Sequence, residues 1–174
     1  GSGADAVLAM MEKSYALLKD HPVNAARRAR GLRPANSIWL WGDGSKPQLP
    51  AFREKYGVRG AMISAVDLLK GIGICAGLRS IDVAGATGNI HSSFDGKAAA
   101  AIQALTQDGD DFVYIHVEAP DECGHRGETE NKVRSIELID EKIVGPLMRA
   151  LEGQPHSILV LPDHPTPLAI RTHS

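Results

Sequence analysis

No apolar run in this 174-residue chain reaches the roughly 18 residues needed to cross a bilayer, and no charged-then-apolar signal opens it. Aromatic residues make up only 5%, too few for base-stacking platforms. No excess of one charge is present: 19 Lys+Arg face 21 Asp+Glu, a formal net charge of −2. That balance excludes the basic footprint of a nucleic-acid-binding domain. Neither a membrane nor a nucleic acid is therefore expected as a partner. Two cysteines, Cys75 and Cys123, cannot build a disulfide framework, so reduced thiols and a cytoplasmic location are expected. The Gly-rich stretch 84–88 lacks the Gly-Lys-Ser/Thr ending of a phosphate-binding loop. An initiator Met is missing as well. Gly1-Ser2-Gly3 reads as a cut point and the chain stops at Arg171-Thr172-His173-Ser174 without a closing element, so a fragment truncated at both ends is expected.

What is present suits a soluble core: 43% of residues are hydrophobic and 23% charged. Helical spacing of apolar residues predicts helices over 4–19, 66–72, 97–106 and 130–151. Residues 52–56 read as a short helical piece ending at Gly57, and Asn24 as the cap of a helix over 25–30. Gly71 and Gly73 are expected to break the second of the longer helices. Compact apolar runs predict strands at 37–41, 60–64, 80–83, 111–117 and 157–161. The run 111–117 is the most continuous and reads as a central strand. Strands alternating with helices imply an α/β fold, a mostly parallel sheet flanked by helices, with sites outside the carboxyl ends of the strands.

Three polar clusters fall at such ends. Asp121 and His125 are four residues apart, just past residues 111–117. A carboxylate oxygen and an imidazole nitrogen suit Zn²⁺ or Mn²⁺ better than Ca²⁺; the plainer alternative is a surface loop in which Asp121 caps a turn. Asp163 and His164 end the run 157–161 in a loop stiffened by Pro162, Pro165 and Pro167. His173 follows nine residues after His164. Together these five residues are an inventory for a two-metal site, which suits phosphoryl chemistry. Lys46, in the Gly42-Asp43-Gly44-Ser45-Lys46 loop, could bind an anion or simply be solvated. Arg27, Arg28, Arg30 and Arg33 form one solvated face or part of an anion clamp. His116 reads as a core residue, His156 and His91 as surface or loop residues, and His21 as ambiguous.

These motifs, with Trp39-Leu40-Trp41-Gly42, residues 63–68, Gly85-Ala86-Thr87-Gly88 and His116-Val117-Glu118-Ala119-Pro120, resemble the archaeal-type, 2,3-bisphosphoglycerate-independent phosphoglycerate mutases of the alkaline phosphatase superfamily. The resemblance runs from about His21 to Ser174. It implies a glycolytic isomerase that interconverts 3-phosphoglycerate and 2-phosphoglycerate through a phosphoserine, with two divalent ions (Mn²⁺, Mg²⁺ or Zn²⁺). It also implies that Asp121, His125 and His173 bind one ion, that Asp163 and His164 bind the other, and that Lys46 contacts the transferring phosphoryl group. His21, Asn24 and Arg27 would touch substrate. Residues 1–35 would be the edge of an inserted domain and 36–174 the C-terminal part of the metal-binding domain.

The family's early Asp-Gly motif and nucleophilic serine are not visible here, so the chain by itself is expected to lack a nucleophile. Ser64, Ser92 and Ser93, at or after strand ends, are candidate internal substitutes, but none has an evident activator. Two alternatives stay open at this point: a related two-metal phosphohydrolase or phosphotransferase, and a metal-binding domain without catalysis. Cys123 is expected to be filler beside the site.

Overall fold

A computed structural model describes residues 3–42 and 44–174; Gly1, Ser2 and Asp43, the centre of the 42–44 loop, lie outside the described residues. The chain divides into two compact units, residues 1–46 and 47–174.

The first unit opens with α1 (Ala4–Leu18). Val7, Met11, Ser14 and Leu18 share its less exposed stripe, at the spacing of one helix face. Pro22 starts α2 (Pro22–Ala29), and the His21 side chain caps it by accepting from the Val23 N–H at 3.3 Å. Asn24 is therefore not the cap. It is buried within α2, where its amide donates to the Leu18 and Ala35 carbonyls at 2.6 and 2.9 Å and accepts from the Ala35 N–H at 2.8 Å. The expected strand at 37–41 does not form. The Ile38 N–H turns to Ser14 Oγ and the Leu40 N–H to Met11 Sδ, so α1 side chains take the donors that a strand ladder would use. Trp39 and Trp41 are left 78% and 82% exposed.

The second unit holds a three-stranded parallel sheet: β1 (Gly60–Ile63), β2 (Arg79–Ile81) and β3 (Phe112–Ile115), in the order β2-β1-β3. Ala61 pairs with Arg79 on one side and Val113 on the other. The centre is thus β1, all four of whose residues are buried, and β3 is an edge. The expected central position of this run is thus corrected: Val113 and Ile115 of β3 pack against the core, while Tyr114 is exposed. The crossovers are α4 (Asp67–Cys75) between β1 and β2, and α5 (Phe94–Thr106) between β2 and β3. The short α3 (Phe52–Tyr56) precedes β1, as expected. α4 runs through Gly71 and Gly73 instead of breaking; a helical Gly costs only about 1 kcal/mol, which packing of this apolar helix on β1 offsets.

α5 buries Phe94, Ala98 and Ala101 against Ile63, and its small residues bring helix and sheet close. Ala119, Ile143 and Leu147 complete this core. The expected helix over 130–151 is α7 (Thr129–Ile139), a π-helical turn (Asp140–Val144) and α8 (Gly145–Ala150). The turn is π-helical because Pro146, in the first turn of α8, offers no N–H and would clash with a straight α-helical ladder. The expected last strand at 157–161 also does not form; Leu159, Val160 and Leu161 are 83%, 63% and 64% exposed, and the run pairs with no strand.

Candidate metal centre

The segment after β3 is not a loop. Residues 119–126 form α6 (Ala119–Arg126), with Pro120 in its first turn and Gly127 ending it in the left-handed conformation at φ 69°. The plain reading of Asp121 as a loop cap is therefore corrected: Asp121 and His125 stand one helical turn apart on one face. α6 is held from beneath. Glu118 is its N-cap residue, but its side chain does not cap. It accepts instead from buried Lys97 at 3.1 Å and from the Ala65 N–H at 3.2 Å. Lys97 also donates to the His116 carbonyl at 2.6 Å. The ends of β1 and β3 and the start of α6 are thus tied to α5 by one buried ion pair. Ser64 Oγ lies in the same network, accepting from the Val66 N–H at 2.9 Å, and Ser92 Oγ accepts from the Thr87 N–H.

The second ligand-bearing segment, 163–173, folds back over α6. Thr166 is buried, and its hydroxyl donates to Asp121 Oδ1. Gly124 permits the crossing: a Cβ there would sit 2.7 Å from the Thr166 carbonyl oxygen. Arg171 takes the left-handed region, φ 55°, rare for a residue with a side chain. Its carbonyl lies 2.9 Å from His125 Nδ1. A carbonyl only accepts, so Nδ1 carries the proton and Nε2 presents a lone pair.

That lone pair points at other acceptors. His125 Nε2 is 3.3 Å from Asp121 Oδ2 and 3.1 Å from His173 Nε2, and His173 Nε2 is 3.4 Å from Asp121 Oδ1. The two imidazole nitrogens thus face each other and one oxygen each of the Asp121 carboxylate, at separations of 3.1–3.4 Å. A tetrahedral ion with bonds of 2.0–2.1 Å has edges of about 3.3–3.4 Å. His164 stacks on His173 with ring centroids 3.8 Å apart, and Asp121, His164 and His173 offer ligand atoms within 4.8 Å of one another. Asp163 Oδ2 lies 3.6 Å from His164 Nε2. Asp121, His125, His164 and His173 therefore lie together, and Asp163 adjoins them through its neighbour His164. The donor set and spacing fit a divalent cation. Burial pushes the Asp121 carboxyl up, but the Thr166 hydroxyl and the His125, His173 and His164 imidazoles outweigh it and hold the group below its usual range. Burial, then the Asp163 carboxylate, pushes the Tyr114 phenol of β3 up.

Sequence reasoning missed the groups that orient these ligands: Thr166, the Arg171 carbonyl, Glu118 and Lys97. Thr166 lay in plain view between Pro165 and Pro167; the others carry no local signal. A cavity of about 210 Å³, lined by Phe52, Arg53, Arg59, Arg79 and Asp110 among others, lies at the opposite, amino ends of the strands. It takes no part in the ligand cluster.

A model of the metalloenzyme superfamily matches residues 10–174. The chain belongs to that superfamily. Among similar proteins, a 2,3-bisphosphoglycerate-independent phosphoglycerate mutase of Methanothrix thermoacetophila is 54% identical over 176 residues, covering all of this chain and 44% of that protein. A probable enzyme of the same name from Geobacter sulfurreducens is 50% identical, over all of this chain and 43% of that protein. A solved structure of a Pyrococcus horikoshii protein superposes with a TM-score of 0.78 at 27% identity, over 99% of this chain and 45% of that one. The chain spans less than half the length of these relatives. The resemblance noted in the sequence agrees with them, and their names match it.

His21, Arg27 and Lys46 lie in the first unit. His21 Nδ1 is spent on its cap, and Arg27 Nε donates to the Arg33 carbonyl at 2.8 Å. Lys46 is exposed. Among the described residues no helix is long and apolar enough to cross a membrane.

Proposed function

We propose that this chain is the metal-binding portion of a 2,3-bisphosphoglycerate-independent phosphoglycerate mutase, a cytoplasmic glycolytic enzyme. The observation that carries the reading is the close approach of the Asp121 carboxylate and the His125 and His173 nitrogens, with the His125 lone pair aimed at the other two. Two divalent ions (Mn²⁺, Mg²⁺ or Zn²⁺) are proposed, one on Asp121, His125 and His173 and one on Asp163 and His164. Such ions would supply Lewis-acid stabilisation of phosphoryl oxygens and lower the pKa of an attacking hydroxyl.

The chain's own residues do the rest. Arg171 holds the His125 tautomer, and Thr166 orients the Asp121 carboxylate. Lys46 would contact the transferring phosphoryl group, and His21, Asn24 and Arg27 would touch substrate. Asn24, whose amide nitrogen is engaged by the Leu18 and Ala35 carbonyls, has the second lone pair of its oxygen left for substrate. In the reaction a serine oxygen outside this chain forms a bond to phosphorus as the substrate's C–O–P link breaks. The group then returns to the other hydroxyl of the same glycerate. Residues 1–35 belong to the edge of an inserted domain and 36–174 to the metal-binding domain.

A coupled assay with Mn²⁺ tests this. The chain alone is expected to turn over no 3-phosphoglycerate, and a protein of the relatives' full length is expected to do so. Hydrolysis of generic phosphomonoesters by the longer protein without mutase turnover would replace the reading with a phosphohydrolase. Absence of Mn²⁺ binding in calorimetry would overturn it.

A further inference from the structure

Lys132 lies on α7, and its own N–H stays in the helical turn, donating to the Glu128 carbonyl at 2.9 Å. Its side chain reaches back across α6 and ends between two backbone carbonyls. Nζ donates to Pro120 O and to Thr166 O, each at 3.0 Å. Pro120 adjoins Asp121, and Thr166 donates to Asp121 and stands two residues past His164. One ammonium therefore bridges two segments that are remote in sequence and carry every ligand of the cluster. The bridge is tightly seated, because a Cβ on Gly124 would come 2.9 Å from Nζ and 2.7 Å from the Thr166 oxygen. Lys132 makes no ion pair among the described residues. Lys97, by contrast, has Glu118 as a partner.

A cation beside a cation site is unfavourable by charge alone. Its presence there calls for a geometric reason. We propose that Lys132 is a positioning residue: by clamping Pro120 and Thr166 together it sets the distance between Asp121 and the histidines of residues 163–173, and so the affinity for a divalent ion. This inference rests on the metal-site reading above.

Charge and geometry predict opposite signs for Lys132→Met. Removing a positive charge raises Mn²⁺ affinity; releasing the clamp lowers it. Loss of groups that orient metal ligands costs about 10–100-fold in affinity, and we expect a loss in that range. Gly124→Ala tests the same clamp without changing charge, by pushing Thr166 away from α6, and is expected to lower affinity as well. Calorimetry with Mn²⁺ measures both variants, and the visible absorption of bound Co²⁺ reports whether coordination geometry changes. Melting without metal separates these effects from unfolding. Weaker Mn²⁺ binding and an altered Co²⁺ spectrum in either folded variant support the proposal. If both variants, or the only one that folds, bind as the parent does or tighter, the clamp is overturned while the metal site stands. If the parent itself binds no Mn²⁺, the metal-site reading fails and the clamp fails with it.

Discussion

The two segments that build the candidate centre are made very differently. α6 is anchored: Ala119 and Cys123 are 1% and 2% exposed, and its first turn rests on the buried Lys97–Glu118 pair. The 163–173 segment is irregular backbone, with His173 exposed and Asp163 half-exposed, and one residue in the left-handed region. It is held to α6 by the Thr166 and Lys132 bonds and by the Arg171 carbonyl on His125. The contrast teaches a division of labour. The helix supplies rigid reference ligands, and the irregular segment supplies ligands whose positions depend on a few polar ties. Affinity should then be sensitive to those ties, while overall stability should be sensitive to what lies beneath α6.

The largest expected effect is on the anchored side. Lys97→Met removes one partner of a buried pair and leaves the Glu118 carboxylate uncompensated. Breaking such a pair costs about 3–5 kcal/mol. Urea unfolding of the metal-free chain should show that loss; a change below about 1 kcal/mol would mean that Glu118 is satisfied without Lys97. Next in size is His125→Ala, which removes the atom at which both segments meet. Mn²⁺ affinity at the Asp121–His125–His173 site should fall by more than the ~100-fold upper range for supporting groups. Melting without metal should change little, because the side chain is one-third exposed. Equal binding by mutant and parent in calorimetry would show that these three residues are not the site.

The same contrast explains what could be read from the sequence. The parallel α/β arrangement was legible because β1, β2, β3 and the helices between them follow apolar runs and helical spacing. Asp121 and His125 were legible as a pair, and α6 was not, because Pro120 and Gly124 look like turn residues. Here Pro120 starts a helix and Gly124 makes room for a crossing chain. The runs 37–41 and 157–161 have the composition of strands and still do not form them. A strand is defined by a partner that donates and accepts along its length, and composition does not show whether one stands beside it. At 37–41 the reason is visible, since Ser14 and Met11 of α1 take the Ile38 and Leu40 donors. Asn24 is the converse case. Its type suggested a cap, but tertiary partners at Leu18 and Ala35 outbid the local role, and His21 took it. The ligand-orienting groups were hidden for a similar reason: a backbone carbonyl such as that of Arg171 acts through position, not identity.

Two smaller effects sharpen the comparison. Cys123 lies between Asp121 and His125 in sequence, yet two residues along a helix is more than half a turn, so its thiol faces the core, buried. Burial also pushes that thiol up, which makes it a poor thiolate donor. Cys123→Ala should lower stability by about 1 kcal/mol, the usual size for a small core change, and leave Mn²⁺ affinity unaltered. A drop in affinity would place sulfur in the site. The smallest effect belongs to the exposed run before Asp163. Leu159 is 83% exposed and β1 residue Ile63 is fully buried, although both sit in apolar runs of similar length. Leu159→Ser should therefore change the unfolding free energy by about 0.5 kcal/mol or less, whereas Ile63→Ala should cost about 2–5 kcal/mol. A loss above about 1.5 kcal/mol from Leu159→Ser would mean that this run is packed in solution. It would then share the anchored character of α6, and the division of labour between the two ligand segments would no longer hold.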